Sequence, residues 1–498
     1  MYKTIQNILI RTAAVICFMV ILCCCVSSFE LGAGYPLSCF AVLTALYLLL
    51  KRNEKHLTSA RVTLIFAVLS VCLLAVQIWF VKNVNYYPKM SDPKILGSFA
   101  QSYAEHGDFR DVKDDYFTYT SRYPNTWGMI YLQVIWLRIW RVFSPDTSTM
   151  TFEVLNIILL QAGAWFTFLT GRTVFRQHSA SLLCGILTFM MPVPLMFTAT
   201  FHSDTVSIFF AAGAVFFFAL ACHHRADNKK CLPAGIASAL FTALGNSIKG
   251  TMTIMMIALI ITLLLTFRPK KALILSAATA AAFLLAGHGS TALGLKMGIT
   301  TQKELEAQEF PVQHWIMMGL NENGGGHHKA DVDLTRSIEG KEEKRRMNKE
   351  VIEERLDAMT FSEKLERISI KMSETWFDGS CKYDKYLESS APKENVRKLI
   401  GDEHIFIYAQ GFRGAQMIAM LAACIACLRR HRSGVISFAA ISVAGLIMFL
   451  VIWEDPPRYT INFIPLYLLL MTEGIRVTSH MLLAALKKSR NCFHREWS

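Results

Sequence analysis

Carboxylates set into an otherwise apolar chain mark where chemistry could occur. The stretch Lys89–Gly128, KMSDPKILGSFAQSYAEHGDFRDVKDDYFTYTSRYPNTWG, holds Asp92, Asp108, Asp111, Asp114 and Asp115. Asp92 has two readings. It precedes Pro93 and opens a face of Ile95, Leu96, Phe99 and Tyr103 that ends at Gly107, which predicts a helix with Asp at the N-cap, Pro at the first position and Gly as the stop. A carboxylate at the mouth of a lipid-facing cavity is also suited to take a proton from an acceptor hydroxyl, with partial desolvation lifting its pKa toward the working range. The adjacent Asp114 and Asp115 fit a solvated turn, or a divalent cation held with water and phosphate oxygens. Their spacing does not separate the two.

Three further groups could serve such a site. Phe201-His202-Ser203-Asp204 follows Pro192 and Pro194 between two apolar segments. Ser203 or Asp204 suits a helix N-cap, and an Asp at a membrane boundary, with His202 beside it, is also a functional candidate. Trp453–Tyr459, WEDPPRY, brings Glu454, Arg458 and Tyr459 to the start of a late apolar segment. A guanidinium fork and a phenol donor suit an anionic head group. Lys249 either helps hold a phosphate or snorkels to the interface. Tyr123-Pro124 sets an extended entry into the next apolar run. His314 and the pair His327-His328 have no matched acid or cysteine spacing, so the pair reads as a polar loop.

These groups sit in a chain of 498 residues that is 53% hydrophobic and only 18% charged, with mean hydropathy +0.34. Apolar runs of spanning length recur from end to end, which predicts an all-α polytopic transmembrane helix bundle of about 12–13 helices in the cell membrane. A β-barrel would show short alternating segments instead. The formal charge of +13 lies in short loops such as Lys51–Arg61, Arg225–Lys230, Arg268–Lys271 and Arg429–Arg432. It therefore reports topology and not a nucleic-acid partner. Most of the thirteen cysteines lie in or beside apolar runs, Cys23, Cys24 and Cys25 among them, and read as small hydrophobes. The CxxC of Cys424 and Cys427 lacks a nearby histidine and is not read as a redox or metal motif. An uncleaved first helix is expected at the N-terminus.

The expected spans are 5–29, 35–50, 61–81, 125–143, 151–170, 179–200, 204–222, 231–248, 250–267, 271–287, 405–428, 434–452 and 460–482. They divide the chain into N-terminal transmembrane helices (1–81), a first extracytoplasmic loop (82–124), a transmembrane core (125–287), an extracytoplasmic α-rich insert (288–404), and C-terminal helices with a basic cytoplasmic tail (405–498). Thirteen full spans cannot satisfy the basic loops at both ends. Segment 125–143, with Arg138, Arg141 and only the short link Ser144–Met150 after it, is the one expected not to cross. The insert reads as helical stretches around an NENGGG turn at Asn321–Gly326. No Walker loop, GxGxxG, HExxH or GxSxG occurs. An activated donor would then have to come from elsewhere, such as the lipid.

In this order and spacing, Ser91-Asp92, Tyr123-Pro124-Asn125-Thr126-Trp127-Gly128, Asp204, and Glu454 with Arg458, Tyr459 and Pro465 resemble integral-membrane glycosyltransferases of the GT-C class. The similarity is greatest to the branch of protein O-mannosyltransferases and aminoarabinose transferases, the glycosyltransferase family 39 type. That resemblance implies a helix bundle with a cavity on the outer face and a polyprenyl-phosphate sugar donor. It implies Asp92 as base, and Arg458 with Tyr459 as holders of the lipid phosphate. Some members carry two acids together in the first loop, whereas Asp92 stands alone. The expected partners are the donor lipid, the membrane, and an acceptor glycan, lipid or protein. The expected substrate-binding residues are Tyr123, His202, Asp204, Lys249, Glu454, Arg458 and Tyr459. The only cofactor in view is a divalent cation at Asp114 and Asp115. A lipid-linked glycan flippase or transporter, or a glycopolymer polymerase or ligase, is the competing expectation.

Overall fold

A segment that crosses lipid must satisfy its backbone polar groups internally, so long apolar runs become helices. A computed structural model describes residues 12, 16, 34–84, 91–145, 150–322, 326–377, 379–388, 392–429 and 433–496. The expected span 5–29 with its three cysteines lies outside these residues but for 12 and 16. Lys89, the 146–149 part of the link, residues 323–325 of the expected turn, and Arg430 and Arg432 also lie outside them. The regular structure of the described residues is helical, apart from a single bridge between Val84 and Pro392.

Seven described helices are long and apolar enough to cross a membrane: Gly34–Arg52, Ser59–Lys82, Thr151–Val174, Ser203–His223, Asn228–Ile248, Pro269–Met297 and Gly434–Ile452. Two shorter apolar helices, His178–Met190 and Met252–Thr266, join them. Glu403–Arg429 and Ile464–Glu496 pack against each other and complete the bundle. The chain is an all-α, multi-pass integral membrane protein. At its centre Ser203–His223 lies between Met150–Val174 and Asn228–Ile248. Its buried face carries small residues, Ala211, Ala212 and Ala214 among them, which let neighbouring backbones approach closely.

The stretch from 179 to 200 is not one helix. Met191 is extended, and Pro192–Met196 forms a separate short helix. A proline there supplies no N–H and cannot continue the turn. Met190 O accepts from the Tyr408 hydroxyl at 2.6 Å, and where the short helix ends the buried Asn156 Nδ2 donates to Thr198 O at 2.8 Å and Phe197 O at 3.0 Å. Such a break inside a membrane is tolerated only where protein satisfies it.

Ser59–Lys82 runs from the end that bears Arg61 to the end where Val84 bridges Pro392 of the insert. Met150–Val174 runs back alongside it. Ser70 Oγ donates to Gln161 Oε1 at 2.6 Å, and Arg172 donates to Thr63 Oγ1 at 2.8 Å. Met150 therefore starts on the insert side. The intervening helix, Trp127–Trp140, begins beside the Asp92 region, and Trp136 Nε1 donates to Thr151 O at 2.9 Å. Both its ends thus lie on the insert side. Its 14 residues also reach only about 21 Å, short of a hydrocarbon core of about 30 Å.

The insert follows Pro269–Met297, which continues past the expected boundary at 288 and stops at Gly298 with φ +84°. It is docked by specific contacts. The buried Lys371 Nζ donates to Gly319 O at 2.8 Å and Trp453 O at 2.7 Å, and also reaches Val451 O. The Trp315 ring stacks on Trp453 at 5.6 Å. Gly319 is required there, because a Cβ would collide with the Trp453 carbonyl.

Candidate functional site

Each functional side chain is delivered by a helix end on the insert side. Ser91–His106 carries Asp92 in its first turn, buries Ile95, Leu96 and Phe99, and ends at Gly107 with φ +78°. Oδ1 of Asp92 accepts a 2.6 Å hydrogen bond from the Tyr119 hydroxyl. Tyr119 sits in Asp114–Arg122 and lies 4.8 Å, ring to ring, from Tyr123. Burial, with the Asp92 carboxylate adding to it, pushes the Tyr119 hydroxyl well above its ordinary range, and burial takes Tyr123 to about 12. Both phenols therefore stay protonated, and Tyr119 is the one that donates to Asp92.

Asp204 opens the Ser203–His223 helix and is only 1% exposed. Two cations and an imidazole surround it: Lys249 Nζ is 2.7 Å from Oδ1, Arg458 Nε is 3.7 Å from Oδ2, and His202 Nδ1 is 2.8 Å from Oδ2. His202 is also the N-cap, with the Asp204 amide 3.4 Å from the same Nδ1. The shorter contact assigns the Nδ1 proton to the carboxylate, since one nitrogen cannot donate and accept at once. Lys249 closes the Asn228–Ile248 helix and lies 4.2 Å over the Tyr459 ring, which adds a cation–π contact.

Arg458 and Tyr459 lie in the 3₁₀ segment Pro457–Phe463, which leads into the last helix. Arg458 Nη1 donates to the Tyr386 hydroxyl at 3.0 Å, and the Tyr459 hydroxyl donates to Glu454 Oε1. Burial and then Glu454 push the Tyr459 hydroxyl well above its ordinary range. Tyr386 in turn lies near His202, with ring centroids 6.3 Å apart, and burial raises the pKa of its hydroxyl against the opposing charge of Arg458.

His202, Asp204, Lys249, Glu454, Arg458 and Tyr459 are thus linked by direct contacts, and Asp92 and Tyr123, joined through Tyr119, lie near enough for the Asp92 charge to act on Arg458. Asp114 and Asp115 do not join it. They are exposed in the first turn of their helix, and no group of three His, Cys, Asp or Glu side chains able to hold a metal occurs among the described residues. His314 is buried in the insert, with Nδ1 2.8 Å from Thr335 Oγ1. Sequence reasoning missed Tyr119, Tyr386 and Arg413. Arg413 is 2% exposed and donates to Thr460 Oγ1 at 3.3 Å and Cys381 Sγ at 3.5 Å. An arginine inside the apolar run of Glu403–Arg429 was a visible signal for it, by the same reasoning that singled out Asp204. The two tyrosines had no such signal.

Chemically, the arrangement offers a hydrogen-bonded carboxylate at Asp92 and, beside it, two cations whose counter-ion is a buried aspartate.

No curated protein sequence matches the chain. Among solved structures, the archaeal oligosaccharyltransferase AglB from Archaeoglobus fulgidus, in complex with an inhibitory peptide and a dolichol-phosphate, aligns with 85% of this chain and 52% of its own, at TM-score 0.42 and 12% identity. The chain thus spans about half the length of that protein. The family described as "conserved hypothetical integral membrane protein" matches residues 35–478, and the chain belongs to that family.

Proposed function

We propose that this protein is a membrane glycosyltransferase that moves a sugar from a polyprenyl-phosphate donor to an acceptor hydroxyl on the extracytoplasmic face. The observation that carries the reading is that the Asp92 carboxylate, held by Tyr119, lies near enough for its charge to act on Arg458, which shares the Asp204 counter-ion with Lys249. Asp92 takes the proton of the acceptor hydroxyl, whose oxygen attacks the anomeric carbon. The bond from that carbon to the phosphate oxygen breaks, and polyprenyl phosphate leaves with the electron pair. Attack opposite the leaving group inverts the anomeric centre. Arg458 and Lys249 meet the charge that develops on the phosphate, where a low dielectric strengthens the interaction. Asp204 holds the two cations in place before the donor arrives, and Tyr459 and Glu454 fix the turn that presents Arg458.

Purified protein in nanodiscs, given a defined polyprenyl-phosphate sugar, should release polyprenyl phosphate and form a glycosidic bond. Near-normal turnover by Asp92→Asn would remove Asp92 from the role of base.

A transporter of lipid-linked glycan is the second reading. A buried polar layer favours it: Ser70, Gln77, Gln161 and Thr198 are joined by hydrogen bonds of 2.6–3.2 Å deep among the helices. Substrate movement across the bilayer without a new glycosidic bond would support it.

A further inference from the structure

Beside Tyr123 the insert and the first loop gather cations. Arg122 ends the Asp114–Arg122 helix, and its backbone carbonyl accepts from the Phe310 amide at 3.2 Å. Its side chain is half-buried, its Nε is buried without a hydrogen-bond partner, and no ion pair among the described residues involves it. Lys344 is 1% exposed, with Nζ 2.6 Å from Ala307 O and 5.7 Å over the Phe310 ring. Arg336, at the end of Lys329–Arg336, is half exposed and close enough to act on the charge of Arg122.

Nearby carboxylates are mostly committed elsewhere. Asp333 is shared between Lys329 at 3.2 Å and Arg336, which donates to it at 3.4 Å, and Glu309 pairs with Lys341 at 2.6 Å. Glu339 and Glu309 lie near Lys344 but leave it short of charge balance, because burial and Arg122 hold its ammonium down to about 8. Like charges pressed together at a partly buried site cost free energy unless an anion completes them.

The cluster is joined to the proposed base. The Tyr123 ring lies 5.4 Å from Phe310 and 4.8 Å from Tyr119, whose hydroxyl holds Asp92. We propose that Arg122, Arg336 and Lys344 form the acceptor subsite, and that the acceptor carries a phosphate or carboxylate group a few atoms from the hydroxyl presented to Asp92. The acceptor role rests on the glycosyl-transfer reading, whereas anion binding by the cluster stands apart from it.

The test uses the purified full chain in phosphatidylcholine nanodiscs, without a sugar donor, titrated with radiolabelled glycerol phosphate and with neutral glycerol as control. Wild type should bind glycerol phosphate saturably and glycerol not at all. Arg122→Gln and Arg336→Gln should each weaken binding by about 10-fold, the loss of one charge-assisted contact. Arg336 is exposed, so its variant keeps the test meaningful if Arg122→Gln fails to fold. In a second arm, nanodiscs containing phosphatidylglycerol should lower the apparent affinity if the anion is a lipid headgroup and leave it unchanged if the anion is soluble. Either result supports the subsite. Absence of saturable binding by wild type, or wild-type affinity in both variants, overturns it. A protein that binds glycerol phosphate yet transfers no sugar from a polyprenyl-phosphate donor instead overturns the glycosyl-transfer reading.

Discussion

Tyr119 donates a 2.6 Å hydrogen bond to Oδ1 of Asp92 across 27 positions of sequence. It ties the Ser91–His106 helix to the Asp114–Arg122 helix and fixes the direction in which the carboxylate faces. A general base works only when its oxygen is held on the proton it removes. Tyr119→Phe keeps the ring and its contact with Tyr123 but removes this hydrogen bond to the carboxylate. Turnover should fall about 10- to 100-fold with the donor KM little changed, since a lost base orientation costs that much without touching the phosphate contacts. Steady-state kinetics in nanodiscs decides it. An equal rise in KM would place Tyr119 in binding instead.

Lys371 controls the segment that carries Glu454, Arg458 and Tyr459. Its ammonium serves three carbonyls, from Gly319, Val451 and Trp453, and burial holds it down to about 8. Lys371→Met leaves those carbonyls buried without a donor, at a cost of about 3 kcal/mol. Faster trypsin cleavage within the insert and lower turnover should follow together. The pH dependence has a definite sign. The unfolded ammonium titrates near 10.5, so the fold disfavours the charged form, and stability rises as pH climbs from 8 toward 10.5. The variant should lose that rise in a thermal-unfolding series.

Much of the bundle was legible in the chain because lipid allows one response to a long apolar run. Gly434–Ile452 coincides with the expected segment 434–452. Where a proline interrupts the run, the rule fails, and Pro192 splits what hydropathy joins. Segment 125–143, apolar but expected from the charge pattern not to cross, holds a helix of only 14 residues. For the candidate site, boundary carboxylates and a misplaced arginine pointed to Asp92, Asp204 and Arg458. Their partners were hidden, because proximity between distant positions leaves no local pattern. Lys249 read equally as a phosphate holder or a snorkelling residue, and the fold makes it the nearest cation to Asp204. Tyr386 lies in an insert stretch without a motif and only the fold brings its hydroxyl to Arg458.

His314 makes the insert sensitive to acid. It is fully buried, its Nδ1 lies 2.8 Å from Thr335 Oγ1, and Thr335 donates to Asn348 at 3.0 Å. Burial lowers its pKa from 6.5 to about 4. The folded insert therefore holds a neutral imidazole that the unfolded chain would protonate first. Its contribution is intact above pH 6.5 and is lost as pH falls through 4, by up to about 3 kcal/mol. Hydrogen exchange across Val312–Gly319 should accelerate between pH 6.5 and 4 beyond the intrinsic rate. His314→Gln should flatten that dependence, and a variant that keeps the full wild-type acid response would assign the effect to another group.

Asp204 holds two cations that the proposed donor phosphate must also meet. Asp204→Asn removes the buried counter-ion of Lys249 and Arg458, and breaking such a pair costs about 3–5 kcal/mol. The variant should unfold at lower temperature than wild type. If Lys249 and Arg458 form a phosphate site, an added anion can restore the missing charge. Inorganic phosphate should then raise the unfolding temperature of Asp204→Asn more than that of wild type, and Asp204→Asn combined with Arg458→Gln should lose the extra rise. Binding an anion to the native state alone stabilises it in proportion to occupancy, so the comparison reads the site directly. An equal phosphate effect in wild type and Asp204→Asn would mean that the two cations serve only to neutralise Asp204, and the donor phosphate would have to be held elsewhere.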